Sequence, residues 1–123
     1  MKIFSILALF VFSLFAAGLN QNGKAGDLDV TVTTQKPLFV GQNDFKITVL
    51  KAGQPVKDAI VKLKVFMPAM PGMPAMGEEV DAKAAVDGYD AKATFSMNGG
   101  WQVTATIAEK SGKTQKYRFN VNL

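Results

Sequence analysis

The chain has 123 residues, 14 basic and 10 acidic side chains, a formal charge of +4, and neither cysteine nor histidine. Without those two residue types, structural zinc sites, disulfide frameworks and Ser/His or Cys/His catalysis are excluded. The positive surplus is scattered and has no interleaved aromatics, so no nucleic-acid partner is expected.

The first segment, "MKIFSILALFVFSLFAAG", has one lysine near its start, an unbroken apolar run and then small residues. That is the three-part form of a secretory signal. Residues 1–18 are therefore read as a signal peptide cut after Gly18, with retention as an N-terminal anchor the alternative. No cysteine stands at the junction, which closes the lipoprotein route. Either way the remainder is exported, to the periplasm or its equivalent, and the mature form is expected to be soluble. It has 105 residues and a charge of +3, the size of one small domain.

Residues 19–26, "LNQNGKAG", are polar and without period, and read as a linker. From Asp27 onward apolar residues alternate with period two, the signature of half-buried strands. "DLDVTVTT" aligns Leu28, Val30 and Val32, and "DFKITVL" aligns Phe45, Ile47 and Val49. After the turn residues "KAGQPVKD", "AIVKLKVFM" turns Val61, Leu63, Val65 and Met67 inward and Lys62 and Lys64 outward. "EVDAKAAV" aligns Val80, Ala82, Ala84 and Val86, and Asp87-Gly88 reads as the centre of a tight hairpin turn. "YDAKATFSM" aligns Tyr89, Ala91, Ala93, Phe95 and Met97 before a second turn at Asn98-Gly99-Gly100. "WQVTATIAE" aligns Trp101, Val103, Ala105 and Ile107, and "TQKYRFNVNL" aligns Tyr117, Phe119, Val121 and Leu123.

Seven short strands separated by turns predict an all-β, antiparallel, immunoglobulin-like sandwich over residues 27–123. Consecutive antiparallel strands place alternate connections at the same end. The segment "QKPLFVGQ", the methionine-rich connection and the "MNGG" turn therefore share one pole. The acidic group Glu78, Glu79 and Asp81 alternates as a solvated strand face and lacks the glycine-centred loop of a calcium site. No pair of carboxylates spans a plausible cleft, so no enzyme is expected.

The distinctive stretch is "FMPAMPGMPAMG", which spaces Met67, Met70, Met73 and Met76 three apart, with a proline after each of the first three. Proline fixes its own φ and keeps the preceding residue out of the helical region. The repeat thus favours polyproline II, with the methionines as a stripe roughly 9 Å apart at about 3.1 Å per residue. Thioether sulfur is soft and uncharged and suits Cu(I) or Ag(I). Met67, Met70, Met73, Met76 and Met97 are the candidate ligands, and Trp101 is a candidate cation-π partner. The opposing reading is that methionine fills irregular gaps. On it, Met67 and Met97 cap the core, Trp101 is a core or rim aromatic, and an exposed apolar edge serves docking.

"VKLKVFMPAMPGM" followed by "DGYDAKATFSMNGGWQVTATI" resembles the YtkA-like family, which is related to the FixH-like proteins. The matching positions are Met67, Pro68, Met70, Gly88, Tyr89, Phe95, Met97 and Trp101, with Gly99 or Gly100 in the hairpin. The resemblance runs from about Asp44 to the end. It implies a small exported immunoglobulin-like domain linked with copper handling, found alone or attached to membrane-fusion subunits of heavy-metal efflux systems. Many members carry a histidine in or beside the methionine loop. This chain has none, which leaves thioether binding of Cu(I) or Ag(I) as the metal expectation. The alternative is a non-metal accessory module docking a membrane-protein, efflux or oxidase-assembly partner.

Overall fold

A computed structural model describes residues 18–123; the segment read as a signal lies outside the described residues, apart from Gly18. The chain forms β1 (Asn20–Ala25), β2 (Leu28–Thr33), β3 (Gly41–Lys51), β4 (Gln54–Pro55), β5 (Ile60–Met67), β6 (Met76–Asp81), β7 (Lys83–Ala85), β8 (Gly88–Phe95), β9 (Gly100–Ala108) and β10 (Thr114–Asn122). One sheet has the order β1-β2-β3-β8-β7, with β4 also on β3, and the other has the order β10-β9-β5-β6. Every pairing is antiparallel.

The all-β, antiparallel, two-sheet expectation holds, with ten strands instead of seven. The alternation explains why. Val30 and Val32, Phe45 to Val49, Val61 to Met67, Tyr89 to Phe95, Trp101 to Ile107, and Phe119 and Val121 turn inward at every second position and form one core. At about 25 cal/mol per Å² of apolar surface removed from water, that shared core is the main force holding the two sheets together. Phe45, Phe95 and Trp101 continue it as edge-to-face pairs, with centroids 6.2 and 5.3 Å apart, towards one end of the sandwich.

Three local readings are corrected. Residues 19–26 are not a linker: Asn20 to Ala25 pair with Thr33 to Leu28, extending the first sheet. Their polar sequence hides a small inward side, because Tyr117 of β10 lies against Gly23, where a Cβ would come within 2.2 Å of the ring. The stretch read as one strand from Glu79 to Val86 is two. Ala82 makes its last bond to Val61 of one sheet, and Lys83 then pairs with Asp90 of the other. Ala84 is consequently exposed, and Val86 is 98 % exposed. The hairpin that follows is centred on Val86–Asp87, because Ala85 pairs with Gly88. Only Gly88 of the Asp87–Gly88 pair has positive φ, at 152°.

The expected sharing of one pole is observed. Gly41 pairs with Phe95, Met67 with Met76, and Phe66 with Gln102. The 34–40 connection, the methionine-rich connection and the 96–99 turn therefore lie at the same end. At that end Asn43, 3 % exposed, pins the 39–41 backbone. Its side-chain oxygen accepts from Phe39 N, and its amide donates to the carbonyls of Phe39 and Gly41.

Candidate methionine pole

The methionine-rich connection is a β-hairpin and not a polyproline II stripe. Met67 pairs with Met76 at the end of the β5–β6 ladder. Beyond it Met70 and Met73 form an isolated bridge, with Met70 N donating to Met73 O at 2.9 Å and Met73 N to Met70 O at 2.8 Å. The reversal falls on Pro71 and Gly72, and Gly72 has φ 81°. Proline then glycine with positive φ is the residue pattern of a type II turn. Between the two methionine pairs the ladder lapses, where Pro68 and Pro74 have no N–H to give.

A spacing of three and a two-residue turn together mirror the methionines. Each of the four faces another across the hairpin, with directly opposed Cβ atoms about 4.5–5.5 Å apart. The expected separation of roughly 9 Å along an edge is replaced by two close pairs. No charged residue lies between Phe66 and Gly77.

The five candidate ligands occupy different environments. Met67 is buried, with 2 % exposure, and its methyl lies against Gly99, where an added Cβ would stand 2.8 Å from it. Met76 and Met97 are half-buried and pack on the core. Met73 is half-buried and Met70 is 45 % exposed. The hairpin base thus meets the β8–β9 turn, and the tip pair stands out from it. Trp101 is 2 % exposed, and its indole N–H donates to the Met97 carbonyl at 3.0 Å, so it is a core aromatic that fixes the 97–101 turn.

One contact at this pole escaped the sequence reading. Ser96 Oγ donates to Met76 Sδ at 3.0 Å across the seam between the sheets. Its place directly before Met97 was the sole sequence cue. Nearby, the Glu78 carboxylate accepts from Thr94 N at 3.0 Å and caps the free edge of β8. Among the described residues no three His, Cys, Asp or Glu side chains gather as a ligand group. The soft donors at this end are the methionine thioethers, which suit a soft monovalent ion better than a hard one.

Around this pole the loops present Phe39 and Val40, 47 % and 44 % exposed, as well as Met70. A groove of about 390 Å³ runs from the hairpin base over Gly100, between Phe66 and Pro68 on one side and Asn120 and Asn122 on the other.

Comparison with known proteins gives three results. No curated protein matches the chain. Among solved structures it is similar to a DUF4426 family protein from Pseudomonas aeruginosa PAO1, at 18 % identity and a TM-score of 0.59, covering 84 % of this chain and 96 % of that one. At that identity the likeness concerns the fold. The family described as YtkA-like matches residues 22–106, a span holding β2 to β8, the whole methionine hairpin and the Ser96–Trp101 turn. The chain belongs to the YtkA-like family.

Proposed function

We propose that this chain is an exported, non-enzymatic domain that binds or buffers Cu(I) or Ag(I) through its methionine pole. The observation that carries the reading is the hairpin register, which opposes Met67 to Met76 and Met70 to Met73. A packed hairpin needs no methionine at the exposed tip, whereas a soft ion needs several neutral sulfurs within reach of one another. Met67, Met76 and Met97 would serve at the base, and Met70 and Met73 at the tip. The bound ion is cargo, and the thioethers supply neutral ligands that let it leave again. Titration with Cu(I) against a competing chelator tests this, with Trp101 fluorescence as the reporter. Binding that survives Leu at Met70, Met73 and Met76, or no binding tighter than the chelator, would end it.

A second reading rests on a different observation, the exposure of Phe39 and Val40 at the same pole and their support by the buried Asn43. On it the pole docks a membrane-protein partner of an efflux or oxidase-assembly system. Leu substitutions in the hairpin would then preserve function, and charged ones would abolish it.

A further inference from the structure

The hydrogen bond from Ser96 to the Met76 sulfur is unusual for its setting. Thioether sulfur is a weak acceptor, and Ser96 is exposed, so water could satisfy the hydroxyl without it. Met76 has three rotatable side-chain bonds and would otherwise distribute its sulfur over several positions. The seam around it is firm. Thr94 N is bonded to Glu78 two residues along β6, and Trp101 is bonded to Met97 one residue beyond Ser96. The hydroxyl thus stands at a fixed place on the β8–β9 turn and holds the sulfur of a half-buried side chain beside it. Met70 and Met73 are joined to each other through their backbone bridge.

We propose that Ser96 is a positioning residue for soft-metal binding: it holds the Met76 thioether at the lip of the pole, so that Met76 takes the ion first. This rests on the soft-metal reading above. A sulfur that accepts one hydrogen bond keeps a second lone pair for a metal ion. Preorganising it lowers the ordering cost that a free methionine would incur on binding.

The test uses the protein with 13C-labelled methionine methyl groups, titrated with Ag(I). Before any metal is added, Ser96→Ala should move the Met76 methyl resonance towards its rotamer-averaged position and leave Met70 and Met73 unmoved. On titration, the Met76 methyl of the unaltered protein should respond at the lowest Ag(I). Ser96→Ala should weaken binding about three- to tenfold, the fold-change of one net hydrogen bond. Ser96→Thr, which keeps the hydroxyl, should restore both signals. An Ag(I)-binding protein in which Ser96→Ala binds as tightly, or in which Met76 responds last, overturns the inference and leaves the parent reading standing. No Ag(I) binding by the unaltered protein overturns both.

Discussion

Met70 and Met73 exchange both of their backbone hydrogen bonds across Pro71–Gly72, at 2.9 and 2.8 Å, three residues beyond the Met67–Met76 end of the regular ladder. The turn itself is open, since nothing lies within 4 Å of a Cβ added at Gly72. Gly72→Ala would meet no steric obstacle but would place a side chain at φ 81°, at a cost of about 1–2 kcal/mol. Because the tip is isolated, that cost should appear locally. Amide exchange at Met70 and Met73 should accelerate while the melting temperature moves by only a few degrees. A large global loss of stability would show instead that the tip is part of the cooperative core.

The bridge also shows where the sequence misled. Proline has the same φ in polyproline II as at the second position of a type II turn, so the local rule was right and compatible with both. The arbiter was Pro71-Gly72, a turn signal at the centre of the methionine spacing. Elsewhere the alternation was read correctly because strand side chains have period two whatever the partner: Val61, Leu63, Val65 and Met67 are all buried. The linker reading failed because the reason for β1 is distant. Gly23 admits Tyr117 from the other sheet, and nothing local announces it. Val86 failed for a similar reason, since the strand leaves one sheet for the other at Ala82.

Gly99 and Met67 are coupled through space. An added Cβ at Gly99 would come within 2.8 Å of the Met67 methyl, and φ at Gly99 is 139°. The Gly99 carbonyl also accepts from Leu123 N at 3.0 Å, tying the last residue to the pole. Gly99→Ala should destabilise by about 1–3 kcal/mol through overpacking and backbone strain. Met67→Ala should cost about 2–5 kcal/mol as a buried truncation. The double variant should lose less than the sum, because shortening Met67 removes the clash and leaves only the strain. Urea denaturation of the four proteins checks it, and strict additivity would refute the contact.

Ala52 has φ 51° and Gly53 has φ 81°, and they join Lys51 to Gln54 in a two-residue hairpin. Positive φ at both central positions is the type I′ geometry that favours Asn-Gly. Ala52→Asn should therefore raise stability by about 0.5–1 kcal/mol, since asparagine tolerates the left-handed region that alanine enters at a cost. A higher denaturation midpoint with an unchanged slope is the expected result. A lower midpoint would mean that Ala52 makes a contact asparagine cannot keep.

At the opposite end from the methionines, Lys51 bridges the two sheets, 3.1 Å from Glu109 and 3.6 Å from Asp27, with Lys113 3.9 Å from Asp27. Desolvation pushes the Asp27 carboxyl up, but a backbone hydrogen bond and the charges of Lys113 and Lys51 outweigh it and hold the group below 3.8. Lys51 is raised above 10.5, first by its hydrogen bond to Glu109 and then by the charge of Asp27. The sign follows for each. Asp27 stabilises the fold above pH 3.8, and that contribution fades as pH falls through its lower folded value. Lys51 stabilises below pH 10.5 and fades as pH rises through its higher one. Both groups are open to solvent, so the effect is small and salt-sensitive. Asp27→Asn should flatten the decline in urea midpoint below pH 4 at low salt, and 1 M salt should erase the difference between the two proteins. An identical acid limb at low salt would remove Asp27 from the clamp.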